Sequence, residues 1–190
     1  MNKNAISIRD RCSKGDLAKE ILKSFALGGL VVSSFALPNL PQIFHLFGVD
    51  NSKNRYRIKR SIMQLQGKKL VKIYEKDGED VVEITRNGKQ KLLKYKFEEM
   101  KISRPKKWDG RWRIIIFDIP EKFKKARNAL TKKIKDMEIY PLQKSVFVCP
   151  FNCKDEIDFV GEFFNIRRFI CYIEADVIEN DERIKRFYNI

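Results

Sequence analysis

From Lys53 to Lys72 the chain carries eight basic residues, Lys53, Arg55, Arg57, Lys59, Arg60, Lys68, Lys69 and Lys72, and no acidic one. Ammonium and guanidinium groups gathered without counter-charge create a field that draws phosphate. A helix stabilised only by surface pairs interleaves Glu with Lys four apart, as the chain does after Glu121, and this segment does not. Arg55, Arg57, Lys59, Arg60 and Gln64 are therefore the candidate DNA contacts, with Lys68 and Lys69 beside them. The Gln64 amide suits adenine, the guanidinium groups suit guanine or phosphate, and the lysines suit phosphate.

Other reactive residue types offer less. Cys12, Cys149, Cys153 and Cys171 are too sparse for a disulfide scaffold and form no C-x-x-C pair, so a reducing cytoplasm is the expected compartment. Cys149 and Cys153 stand four apart, but the apolar runs around Cys149 and Cys171 predict buried free thiols rather than zinc ligands. His45, the single histidine, has no Ser or Cys near it in a nucleophile motif and is expected in helix packing. Gly28-Gly29 lacks the Lys and Ser/Thr of a phosphate loop and reads as a close helix contact. Asp118, followed by Pro120 and Glu121, has the spacing of a capping box at a helix start.

The elements that must position the basic run follow from periodicity. Ile58, Ile62 and Leu65 fall on one stripe of a helix from Ser52 to Gln66, with Ser52 as its cap, Arg57, Arg60, Ser61 and Gln64 outward and Gly67 as its stop. Two β-rich runs then flank Asp77-Gly78, a hairpin signal, and Thr85 caps a further helix carrying Leu92, Leu93 and Phe97. Ahead of them, Ser24 to Phe44 holds no charge, but Gly28, Gly29, Ser33, Ser34, Pro38, Asn39 and Pro41 interrupt it. Pro38 ends any helix near Leu37, leaving about 14 apolar positions, a buried helix rather than a membrane span. The residues after Met1 are polar, unlike a secretory signal.

Charge divides the chain: 24 basic and 11 acidic residues precede Trp108, against 16 and 14 from Trp108 onward. Lys101 to Gly110 reads as a linker. Beyond it come a strand at Trp112–Phe117, covered on both faces or at a dimer seam, and a helix with the stripe Phe123, Ala126, Leu130, Ile134 and Met137. That helix turns Lys122, Lys124, Lys125, Lys132, Lys133 and Lys135 outward. Strands at 139–142, held to a sheet edge by Pro141, and at 145–151 follow, then a helix at 154–164 burying Ile157, Val160, Phe163 and Phe164. A strand at 169–175 and a short helix at 183–188 complete the order βαββαβ, a ferredoxin-like sandwich. The expected fold class is α+β: an N-terminal winged helix-turn-helix over 1–100, a linker over 101–110 and a ferredoxin-like domain over 111–190.

Two resemblances rest on quoted residues. The stretch NRYRIKRSIMQLQGKKLVKIYEKDGEDVVEITRNGKQ resembles winged-helix transcription factors in its Gly67-x-x-Leu70 junction and its Ile84-Thr85-x-x-Gly88 exit. Glu75, Asp77, Glu79 and Asp80 crowd the wing tip, where anions repel a phosphate backbone, so the helix is expected to carry the affinity. The Trp-Asp-Gly-x-Trp, Phe-Asp-Ile-Pro-Glu and Leu-Gln-x-Ser-Val-Phe strings resemble the central domain of the phenylacetate-degradation repressor family, itself similar to the small ferredoxin-like nuclease subunit of CRISPR adaptation. With the winged half in front, the similarity spans about residues 15–178.

What the resemblance implies is a homodimeric repressor of double-stranded DNA, with half-sites spaced near one helical turn, about 34 Å, or a multiple of it. The archetype of that family releases DNA on binding an aromatic acyl-coenzyme A. This sequence ends at Ile190, soon after the ferredoxin-like unit, so the expectation is a regulator without the further C-terminal domain, and no effector is assigned. The nuclease relatives imply the alternative: Asp118 at the end of the first strand as a catalytic and metal-binding carboxylate, paired across a dimer around Mg2+. A third reading is an adaptor gripping protein or RNA. No cofactor other than that cation, and no membrane, is expected.

Overall fold

The computed structural model describes residues 14–29, 52–76 and 79–190. Cys12, His45, the apolar helix expected beyond Gly29 and the Asp77-Gly78 turn lie outside the described residues. The chain divides into two compact units, one ending at Lys96 and the other starting at Phe97, a little before the expected linker.

The first unit holds helices α1 (Lys14–Gly29) and α2 (Ser52–Gly67), an antiparallel hairpin of β1 (Val71–Lys76) and β2 (Glu79–Ile84), and most of α3 (Arg86–Glu99). Leu17, Ile21 and Leu22 of α1 pack against Ile58, Ile62 and Leu65 of α2 and Val71 and Val82 of the hairpin. Each such buried side chain stabilises the unit by roughly 1.5–3 kcal/mol. Helix α1 was not foreseen: it lies mostly ahead of the uncharged run, its apolar stripe set among Asp16, Lys19, Glu20 and Lys23. Ser61, expected outward, is buried, since it flanks the apolar stripe on its packed side.

Helix α2 ends at Gly67, as expected, but the left-handed residue that closes it lies two positions further on. Gly67 is the last helical residue, and Lys69 adopts the left-handed conformation, φ 56°. The Leu70 N–H donates to the Leu65 carbonyl at 2.9 Å and the Lys69 N–H to that of Gln66 at 2.8 Å, a Schellman closure that turns the chain into β1. Thr85 caps α3 as expected: its Oγ1 accepts from the Gly88 N–H at 3.1 Å and lies 2.7 Å from the Lys69 carbonyl. A Cβ at Gly88 would sit 2.0 Å from the Leu70 carbonyl oxygen, so the helix–hairpin contact requires glycine there.

The second unit is built on β3 (Trp112–Phe117), α4 (Lys124–Asp136), β4 (Tyr140–Gln143), β5 (Val146–Cys149), α5 (Lys154–Phe163), β6 (Ile170–Ala175) and α6 (Glu182–Tyr188). Its strands form one antiparallel sheet in the order β4-β5-β3-β6, the ferredoxin-like order, with the Pro141 strand at an edge as expected. Ile115, Phe117 and Phe147 of the sheet pack on Leu130 and Ile134 of α4 and Ile157 and Val160 of α5. On the other face, Trp112 and Val148 are covered by Ile184 of α6. The Tyr188 hydroxyl pins α6 by accepting from the Tyr140 N–H at 2.9 Å.

Three side chains depart from the expected pattern. Lys133 is buried, its Nζ donating to the Glu98 carbonyl at 3.1 Å and lying 5.2 Å from the Phe97 ring centre, and burial pushes its pKa down. Phe163 is partly exposed, stacked on Phe97 with ring centres 5.4 Å apart. Cys171 is exposed, because it occupies the sheet face that α4 and α5 leave uncovered.

The expected linker contains a clasp. Arg113, with 6% of its side chain exposed, binds Asp109 through both terminal nitrogens, at 2.7 and 2.5 Å, and donates to the Pro150 carbonyl at 2.8 Å. Gly110 has φ +79°, a conformation suited to glycine, and the Trp108 Nε1 donates to the Arg111 carbonyl at 3.0 Å. The Trp-Asp-Gly-x-Trp string is therefore a structural lock at the start of β3.

Candidate nucleic-acid interface

Helix α2 presents a cationic surface because its apolar residues occupy one side only. With Ile58, Ile62 and Leu65 buried, helical spacing puts Tyr56, Arg60 and Met63 along the opposite crest. Arg55 and Lys59, four apart, lie on one flank. Arg57 and Gln64 lie on the other, and with Tyr56, Arg60, Ser61 and Leu17 of α1 they line a shallow recess of about 90 Å³. Arg55, Lys59, Arg60 and Gln64 are exposed, and Arg57 is half-buried with its Nη1 donating to the Asn54 amide oxygen at 3.3 Å. Arg55 and Arg60 are thus surface residues of the unit, outside its core.

Lys68 and Lys69 sit beyond the helix end, exposed, in the Schellman turn. Lys72 does not join them. Its Nζ meets Glu83 across the hairpin at 2.6 Å, and that hydrogen bond raises its pKa, so its charge is answered within the protein. Glu75 is exposed and pairs in register with Asp80 in the hairpin.

Tyr56 and Met63 were not foreseen as contacts, yet they are 66% and 67% exposed. Their sequence signal is position: a large apolar residue off the buried stripe of a basic helix is available to stack on sugars or meet a thymine methyl.

Asp118 stands exposed at the end of β3, its N–H donating to the Phe169 carbonyl at 3.1 Å. The capping box is not made. Pro120 occupies the cap position of the turn at Glu121–Phe123, without a side-chain cap bond. Glu121 instead accepts from Lys124 at 3.1 Å and Arg127 at 2.9 Å, and these bonds hold its carboxyl below the usual range. Among the described residues no three His, Cys, Asp or Glu side chains gather as a metal site. Cys149 and Cys153 are buried, and the hydrogen bond between them together with burial pushes the Cys153 thiol far up, as suits a packing group rather than a thiolate ligand.

The molecule is thus an α+β protein in which a ferredoxin-like unit follows a unit carrying a basic helix. Residues 105–185 match the family model of the PaaX protein central Cas2-like domain, a stretch that runs from the Arg113 clasp through all four sheet strands into α6. No curated protein matches the chain. Among the described residues no helix is long and apolar enough to cross a membrane.

Proposed function

We propose that this chain is a DNA-binding transcriptional regulator of the PaaX kind, a repressor that grips duplex DNA as a homodimer in the cytoplasm. The first unit is read as a winged helix-turn-helix, with α2 entering the major groove and the hairpin as a wing whose acidic tip stays off the backbone. Arg57, Arg60 and Gln64 face base edges, while Arg55, Lys59, Lys68 and Lys69 hold phosphates. Support for the second copy comes from the ferredoxin-like sheet, where Ile116 and Ile173 stay partly exposed on the face that α4 and α5 leave open.

The observation that carries this reading is the surface of α2: an acid-free helix on which Arg55, Lys59 and Arg60 are exposed, directly before a hairpin. Among the described residues no three metal-ligating side chains gather, Asp118 is a single carboxylate, and Glu121 is engaged by Lys124 and Arg127. Gel shift and cleavage on the same random duplex DNA, with and without Mg2+, test the proposal. Retention without cutting is expected. Cutting that needs Mg2+ and Asp118 replaces the regulator with a nuclease, and neither retention nor cutting leaves an adaptor.

A further inference from the structure

The second unit contains a cationic cleft of about 510 Å³ that the DNA reading does not use. Arg127, Thr131, Lys132 and Lys135 reach it from α4, Lys144 and Ser145 from the β4–β5 connection, and Phe117 closes its inner wall. The walls are regular elements: the Phe117 N–H donates to the Ser145 carbonyl at 3.1 Å, tying the connection to the end of β3. Arg127 is set in place by Glu121 at 2.9 Å and by the Ile119 carbonyl at 3.4 Å. Among the described residues, Lys132, Lys135 and Lys144 form no ion pair with a carboxylate.

Like charges converging on one concavity cost stability unless something answers them. Dipole compensation at the end of α4 accounts for Lys135, which lies in its last turn. It does not account for Lys144, on a different element, while Arg127, in the first half of the helix, shares its charge with Glu121. The volume falls within the range of small-ligand pockets, about 300–1,000 Å³. The Thr131 and Ser145 hydroxyls and the Asn128 amide add neutral donors suited to phosphate oxygens. Asp136, the one carboxylate on the rim, suits a ligand hydroxyl and opposes an extended phosphodiester backbone.

We propose that this cleft binds a small molecule bearing a pyrophosphate or triphosphate group, its phosphates held by Lys132, Lys135, Lys144 and Arg127. The proposal is independent of the DNA reading, and its test separates the two. Titration calorimetry of the full chain with inorganic pyrophosphate is expected to show saturable binding. Lys132→Gln with Lys144→Gln weakens it about tenfold or more, in line with the loss of charge-assisted hydrogen bonds. Lys144→Gln alone, in an exposed connection, gives a smaller loss in the same direction with an unchanged thermal midpoint. Lys59→Ala with Arg60→Ala, on the other cationic surface, leaves pyrophosphate binding intact. The proposal is overturned if pyrophosphate does not bind, if sulfate at equal ionic strength displaces it as readily as triphosphate does, or if the α2 variant rather than the cleft variant abolishes binding.

Discussion

Arg113 is a cation inside the protein, and Asp109 is what makes that tolerable. The guanidinium is buried while the carboxylate is 52% exposed, so the acid can be changed with little loss of packing. Removing it in Asp109→Ala leaves a buried charge with carbonyl partners and only a loose pairing to Glu174 at 3.9 Å, and a destabilisation of about 2–4 kcal/mol is expected in urea unfolding. The Arg113 guanidinium also holds the Asp109 carboxyl at about 2, below its ordinary value of 3.8. Between those values the unfolded chain binds a proton that the folded one does not. The contribution is therefore complete above about pH 4 and is lost as pH falls toward 2. Asp109→Asn should flatten that limb of a stability-against-pH curve. Asp118 behaves in the opposite way. With no cap bond to lose, Asp118→Asn is expected to change stability by less than about 0.5 kcal/mol in the same unfolding assay, whereas a cap would cost on the order of 1 kcal/mol.

Helix stripes were legible at the scale of elements, because apolar residues recurring at helical spacing have few other places to go. Ile58, Ile62 and Leu65, and likewise Leu130, Ile134 and Met137, are buried as their spacing requires. Helix ends at Gly67, Phe163 and Tyr188 were legible to within a residue, but the backbone turns that close them were not. Helices α2, α4, α5 and α6 are followed by left-handed residues at Lys69, Glu138, Asn165 and Asn189, with φ between 55° and 58°. Lys and Glu carry no signal for that conformation, and Gly67, two positions before Lys69, is not the left-handed residue. Because a side chain strains the left-handed backbone, Lys69→Gly is expected to stabilise the first unit by about 1 kcal/mol in thermal unfolding. Lys133 was misplaced for a related reason. Charge type suggested solvent, while its four-carbon stem and the Glu98 carbonyl allow burial.

For the whole molecule, the charge imbalance visible in the sequence marks the unit proposed to meet DNA, but not which cations remain available. Lys72 belongs to the basic run and is taken by Glu83; Tyr56 and Met63 lie outside any count of charge and crest the helix. The strings that resemble the PaaX central domain prove to be packing devices: the Arg113 clasp, the Phe117 and Ile119 core positions, and the β4–β5 hairpin with Phe147 inside. They identify a scaffold, and the function must be tested on α2. If each protomer neutralises three or four phosphates, the slope of log K against log salt for duplex binding is expected to be about −5 to −7. Measuring that slope for the wild-type chain and for Lys59→Ala with Arg60→Ala is the most direct test. The expected result is a steep wild-type slope that shrinks in magnitude by about one for each phosphate contact removed. A slope near zero, or one that the double substitution leaves unchanged, would contradict the assignment of α2 as the surface that holds DNA.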